Sequence, residues 1–280
     1  TTTVRTELSM TRNLLDEVQG RGLLDAGFTY VLANYLGANR SEVEAMLPDD
    51  GRLREWIFDG HKLRVGLTGE DAKIDLNLAD DEFIKNALLS AGLEAEQAEA
   101  IGDAIADWRD EDDLHRLAGA EDPEYERAGY PYGAKNGKFE SVTELGLIYG
   151  VDKTLYDRIV PLFTVNSGAK TVNPRYADRA VLLAIPGVSE DQVDEFIQAR
   201  DSEAEMGSPA VFSGADRRYT ASTASQVYRL ISEVELPGGL KLRGEMTVDL
   251  RPRGRKRYRI LRVSYNAPVS GVAAEPEPDN

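Results

Sequence analysis

The sequence predicts an α+β protein in which a helical segment interrupts an antiparallel sheet. Three observations lead there. Residues 1 to about 38 repeat apolar and small side chains at helical spacing. Two separate stretches, 51–77 and 219–265, alternate in the strand manner. Between them, from Asp80 to about Arg200, short capped helical patterns follow one another. Pairing the two strand regions into one sheet on the long helix gives a single body with an excursion.

The first element is the long helix. Leu15, Val18, Gly22, Ala26, Tyr30 and Ala33 recur at three- and four-residue steps, which predicts a stripe that a neighbour approaches closely. Gly20, Gly22 and Gly27 are costly inside a helix, roughly 1 kcal/mol each against Ala. Gly20-x-Gly22 does not start a dinucleotide fingerprint, because Asp25 stands where the third Gly belongs and no strand precedes it. Ser41 to Glu44 form a capping box and predict a short helix. Trp56-Ile57-Phe58, a turn at Asp59-Gly60, and the alternating Leu63, Val65 and Leu67 predict a hairpin. Ile74, Leu76 and Leu78 predict a third strand beside it.

Helices follow. Phe83, Ala87 and Leu88 mark one; Ala98, Ile101, Ile105 and Trp108 mark the next. Capping boxes at Ser141/Glu144 and Ser189/Gln192 open two more, with Leu155, Ile159 and Leu162, then Ala180, Leu183 and Ile185, between them. Strands resume at Tyr219–Thr223, 227–235, 240–250 and 258–265, with turns at Pro237-Gly238-Gly239 and Arg253-Gly254-Arg255. Lys256, Arg257, Arg259 and Arg262 alternate with Tyr258, Ile260 and Val263, as on a solvated sheet face or one that docks an acidic partner. The expected division is a body in two parts, 1–78 and 204–266, a helical insert at 79–203, and a disordered Pro- and acid-rich tail at 267–280.

Composition narrows function. The net charge of −16 over 280 residues opposes a phosphate backbone or an anionic membrane surface as the main partner. There is no cysteine, hence no disulfide or thiolate chemistry. No run of 18 apolar residues occurs. The chain starts abruptly inside a helical pattern, which predicts that a preceding segment has been removed. His61 and His115 are the two histidines, and no hydrolase, zinc-protease or P-loop motif is present, so an enzyme is not expected. The alternative is a DNA-binding helix-hairpin-helix at Leu183-Ala-Ile-Pro-Gly-Val-Ser, although Glu190, Asp191, Asp194 and Glu195 beside it repel phosphate.

The stretch 107–136 gathers the chemistry. Asp110 to Asp113 and Glu121, Asp122 and Glu124 flank one turn-rich loop. Carboxylates so close repel unless a cation sits among them, and oxygen ligands of this kind suit Ca²⁺. Asp110, Asp112 and Glu121 fall at positions 1, 3 and 12 of an EF-hand count. Leu114 and His115 occupy positions 5 and 6, so this is not that loop. A solvated acidic loop remains the other reading. Tyr125, Tyr130 and Tyr132 are expected to pack the loop down.

These residues carry a resemblance. Asp75-Leu-Asn-Leu78, Asp107-Trp-Arg-Asp-Glu-Asp112, Gly119-Ala-Glu-Asp-Pro-Glu-Tyr125, Pro131-Tyr132 with Asn136, and Ser141-Val-Thr-Glu-Leu145 together resemble the protein K family of type II secretion minor pseudopilins. The likeness extends over roughly residues 10 to 265. A departure lies at Val172-Asn-Pro-Arg-Tyr-Ala177, which keeps one Asn of an Asn-x-Asn-Thr-Ala run and lacks its Thr. The resemblance implies a pilin-like body, a long helix on an antiparallel sheet, with a large all-helical domain inserted between strands. It implies a place at the tip of a periplasmic pseudopilus, assembled with two other minor pseudopilins to start its growth and support export of substrates. It implies an inner-membrane anchor helix ahead of the present residues, while the charge balance gives no nucleic acid partner. It also implies calcium in the inserted domain, with Asp110, Asp112, Glu121, Asp122 and Asn136 as candidate ligands.

Overall fold

A computed structural model of the chain describes residues 2–37, 47, 51–202, 210–222, 225–237, 239–251 and 257–265. The capping box at Ser41–Glu44, the turn at Arg253–Arg255 and the tail from Ala267 lie outside the described residues. The chain forms two compact units, one of residues 1–68 with 227–280 and one of residues 69–226.

The first unit holds α1 (Thr2–Gly37) and a five-stranded sheet. Its strands are β1 (Arg54–Phe58), β2 (His61–Gly69), β5 (Val227–Glu235), β6 (Lys241–Asp249) and β7 (Arg259–Tyr265), in the order β1-β2-β5-β6-β7. Strands from both sides of the helical segment therefore share one sheet, as expected. The hairpin closes where Phe58 faces His61. Asp59 and Gly60 both adopt positive φ, 47° and 73°, the two-residue turn that Asp-Gly favours.

The helix turns to the sheet a face other than the one that carries Leu15, Val18 and Gly22. Leu24, Phe28 and Val31 are buried with Leu63, Val65, Tyr228, Leu230, Val234 and Val248. Gly20 and Gly27 lie on this face, and a Cβ at Gly27 would overlap the Ser232 side chain. Close approach to the sheet thus uses these two glycines. Leu15 and Val18 are instead 64% and 69% exposed, and a Cβ at Gly22 would meet nothing within 4 Å. Small residues occur on two faces of this helix, so spacing alone did not separate them.

Side chains alternate across a strand, and the sheet face away from α1 is charged yet buried. Glu233 sits between Arg64 and Arg243, the latter with Nη1 2.9 Å from Oε1 of Glu233. Arg243 also reaches Glu245 at 2.8 Å. At the end of β6, buried Asp249 receives Arg251 at 2.8 Å and Arg259 at 3.5 Å.

The second unit holds β3 (Ile74–Asp75), α2 (Asp81–Ser90), α3 (Ala95–Arg109), α4 (Asp122–Arg127), α5 (Lys153–Ile159), β4 (Phe163–Thr164), α6 (Arg179–Leu183) and α7 (Glu190–Asp201). Asp80 caps α2 by accepting from Phe83 N at 2.9 Å, and Ser189 caps α7 by accepting from Gln192 N. The box at Ser141/Glu144 is formed, but it opens a 3₁₀ segment, Val142–Leu147, rather than an α-helix. Gly150, at φ 81°, follows closely. Phe83, Leu88, Ile101, Ile105, Leu145, Ile159, Val181 and Tyr219 build the core.

Two expected strands belong here and not to the large sheet. β3 pairs in parallel with β4, Ile74 opposite Phe163. It ends because Asp75 accepts from Asn77 N and turns the chain, while Asn77 exchanges hydrogen bonds with the Phe139 backbone. At the Tyr219–Thr223 stretch, Thr220 makes only an isolated bridge to Val172. The expected boundaries at 78/79 and 203/204 accordingly fall at 68/69 and 226/227. Apolar alternation in these short stretches reflects burial against helices, not membership of the sheet.

Candidate functional site

The last turns of α3 aim three acidic or aromatic groups at the acidic loop. Asp107 is fully buried and accepts from the backbone N and guanidinium of Arg116. Asp103 accepts from Ala118 N at 3.1 Å. Trp108 donates its indole N–H to Glu144 Oε2 at 3.1 Å and stands among Tyr125, Tyr132 and Phe139. Tyr125 packs on Tyr130, Tyr132 and Tyr149 and donates no slack to the loop, since its hydroxyl accepts from Tyr149 N. The tyrosines pack the loop down, as expected of large aromatic side chains there.

Glu121 is the centre. It is 2% exposed, and neither carboxylate oxygen has a hydrogen-bond partner. Burial, then the charges of Asp107, Asp110, Asp113 and Asp122, push its pKa up to about 7. One oxygen of Asp110 binds Arg116 at 2.6 Å; the other, Oδ1, is buried and unpartnered. Asn136 has positive φ, 49°, and donates Nδ2 to Asp113 at 2.7 Å, while its Oδ1 is also buried without a partner. Four oxygens on Asp110, Glu121 and Asn136 are therefore desolvated and uncompensated. Each such group costs about 1–3 kcal/mol or more, so native structures seldom leave it.

The structure sorts the sequence-derived ligands. Asp110, Glu121 and Asn136 supply the orphan oxygens. Asp122 adds its charge to that field and lies against Gly133, where a side chain would collide with it. Asp112 stands apart: it is exposed and its Oδ1 accepts from Leu114 N at 2.9 Å. Among the described residues no three carboxylate or imidazole groups converge at metal-ligating distances. The donor set nonetheless fits a hard cation, being carboxylate and amide oxygens without competing donors. Sequence reasoning missed Asp113, Asp107 and Arg116. The first lies in the acidic run, but nothing local in the sequence says that Asn136, 23 residues on, turns back to it.

At the expected helix-hairpin-helix, formed by α6 and α7, Arg179 is already paired, with Asp194 at 2.7 Å and with Glu190 at 3.3 Å. Among the described residues no helix is long and apolar enough to cross a membrane.

Comparison with known proteins bears out the resemblance. Residues 69–168 match the family described as "Type II secretion system (T2SS), protein K", a segment that opens the second unit and contains all five candidate ligands. A protein K of Pectobacterium carotovorum is 38% identical over 134 residues, covering 45% of this chain and 40% of its own length. That of Aeromonas hydrophila is 28% identical over 183 residues, covering 59% and 55%. The chain thus spans about half the length of the curated relatives it matches. A chain in the crystal structure of the GspK–GspI–GspJ complex from enterotoxigenic Escherichia coli shares the fold. Its TM-score is 0.62 at 17% identity, over 95% of this chain and 100% of that one.

Proposed function

We propose that this chain is the periplasmic part of a type II secretion protein K, a minor pseudopilin at the tip of the pseudopilus. It works by assembly and not by catalysis. The observation that carries this reading is the fold likeness over 95% of the chain to a member of a three-pseudopilin complex, joined to the family match at 69–168. By that likeness its partners are two other minor pseudopilins. The full protein would be held in the inner membrane by a helix ahead of Thr2.

The face of α1 that the sheet leaves free suits such packing. Leu15, Val18 and Gly22 are exposed, and Gly22 allows close backbone approach. Dispersion then accumulates along the helices. Mixing the chain with its two partner pseudopilins and measuring co-assembly tests this. Gly22→Leu or Ala26→Trp should weaken co-assembly while leaving the melting temperature nearly unchanged. Undiminished co-purification with both partners would contradict the reading.

The acidic loop is read as a calcium site of structural purpose. Asp110, Glu121 and Asn136 would hold the ion through their unpartnered oxygens, with Asp122 adjacent; Asp112 is the weakest member because it is already engaged in its own turn. Bound calcium supplies positive charge that relieves the mutual repulsion of these acids. Magnesium keeps its own waters and demands stricter geometry, so it suits this set less well.

A further inference from the structure

The acidic loop does a second thing that the cation reading does not explain. Leu114 is 78% exposed and Leu117 is 101% exposed. Single exposed apolar side chains are ordinary, and a slack loop would account for two. This loop is not slack. Arg116, between the leucines, ties its guanidinium to Asp107 at 2.8 Å and Asp110 at 2.6 Å, with Asp81 at 3.6 Å. Its backbone N donates to Asp107 at 3.1 Å, and Ala118 N donates to Asp103. Gly119 N donates to Arg116 O, and a Cβ at Gly119 would overlap Asp107. On the other side Leu114 N is held by Asp112. Buried Asp107 and Asp103 thus clamp the backbone at Arg116 and Ala118, and the exposed Asp112 turns it at Leu114, which together hold the leucines outward.

We propose that Leu114 and Leu117 form a docking knob for another protein, one whose surface has an apolar pocket rimmed by lysine or arginine. The apolar half follows from the two held-out leucines. The basic rim follows from charge: Glu111, Asp112 and Asp113 are exposed beside Leu114, whereas the one arginine of the tip is consumed by Asp107 and Asp110. A pocket with acidic edges would be repelled.

The inference rests on the secretion reading only in placing the partner among the proteins of the exporting cell. The chain contains no cysteine, so a single one reports cleanly. Ala118→Cys, exposed and next to the intact knob, is labelled with a maleimide in exporting cells and in the purified chain; Val211→Cys, 79% exposed, is the control. The expected result is labelling of Ala118→Cys about tenfold slower or more in the cells than in the purified chain, with Val211→Cys equal in both. Adding Leu114→Ser and Leu117→Ser should restore the fast rate, and Glu111→Lys should restore it in part. Equal rates in cells and in solution would overturn the knob, as would protection that survives loss of both leucines. Protection that grows with concentration of the purified chain would assign the tip to a second copy and overturn the basic-rimmed partner. If co-assembly with the two pseudopilins holds while Ala118→Cys stays unprotected, the knob alone fails.

Discussion

The two units bury acidic side chains in opposite ways. On the sheet, Glu233 is 6% exposed and lies between Arg64 and Arg243; Asp249 is fully buried and meets Arg251 and Arg259. Every one of these carboxylates has a guanidinium within the same unit. In the loop between α3 and α4, Glu121 is buried more deeply than Glu233 and has no cationic partner among the described residues. Arg116 serves Asp107 and Asp110, Arg109 takes Asp81, and no cation reaches Glu121 within ion-pair distance among the described residues. A desolvated charge needs a partner or it changes its protonation state. The buried sheet carboxylates are thus matched by arginines of their own unit, whereas no cation among the described residues matches Glu121.

The contrast breaks first on the sheet. Glu233→Ala leaves buried Arg243 with Glu245 alone, and the loss should be about 3 kcal/mol in chemical denaturation, the same with calcium or with chelator. Restoration by calcium would mean that the two regions are not independent. The loop should respond with the opposite sign. At pH 8 without calcium, Glu121→Gln removes a charge that four carboxylates oppose, so stability should rise by about 1–3 kcal/mol. A loss of similar size would mean that Glu121 already has a partner in solution.

A smaller effect sharpens the comparison inside the helical unit. Burial alone would raise the Glu144 pKa. Lys135, the backbone N–H groups of Glu140 and Ser141, and the Trp108 indole outweigh it and hold the carboxyl below its usual range. A depressed carboxyl contributes stability that is present above its unfolded pKa and lost as pH falls through the folded one. The Trp108 environment, followed by fluorescence, should therefore loosen as pH falls below the ordinary carboxylate range, and Glu144→Gln should cost about 1–2 kcal/mol at pH 7 and progressively less as the pH is lowered. An identical cost at both pH values would remove the charge from the account.

What the sequence made legible was what depends on near neighbours. The Asp-Gly turn, the box at Ser189/Gln192 and the helix through Ile101, Ile105 and Trp108 rest on residues a few positions apart, and all are present. The faces of α1 were not legible, because Gly22 and Ala26 on one face and Gly20 and Gly27 on another are both at helical intervals, four and seven residues. Only the sheet decides which glycines are used. Ile74 to Leu78 alternated like a sheet strand because burial against helices also selects apolar residues; Asp75 and Asn77 end it through contacts with Phe139, Ser167 and Gly168. In the site, the acid-rich motifs marked Asp110 and Glu121. The partition between Asp112, held in its own turn, and Asp113, bound to Asn136, depends on side-chain direction and stayed hidden.

Calorimetric titration of the metal-free chain with Ca²⁺, alongside melting in calcium and in EDTA, tests the comparison most directly. Binding to the folded form alone stabilises it by about 2.7 kcal/mol at a hundredfold excess over Kd. The expected result is saturable heat, a melting temperature raised by calcium and lowered by EDTA, and poor substitution by Mg²⁺. Asp112→Ala with Glu121→Ala should lose the shift while the sheet stays folded. Equal melting temperatures in calcium and EDTA, with no heat of binding, would contradict it and leave the loop a solvated acidic segment.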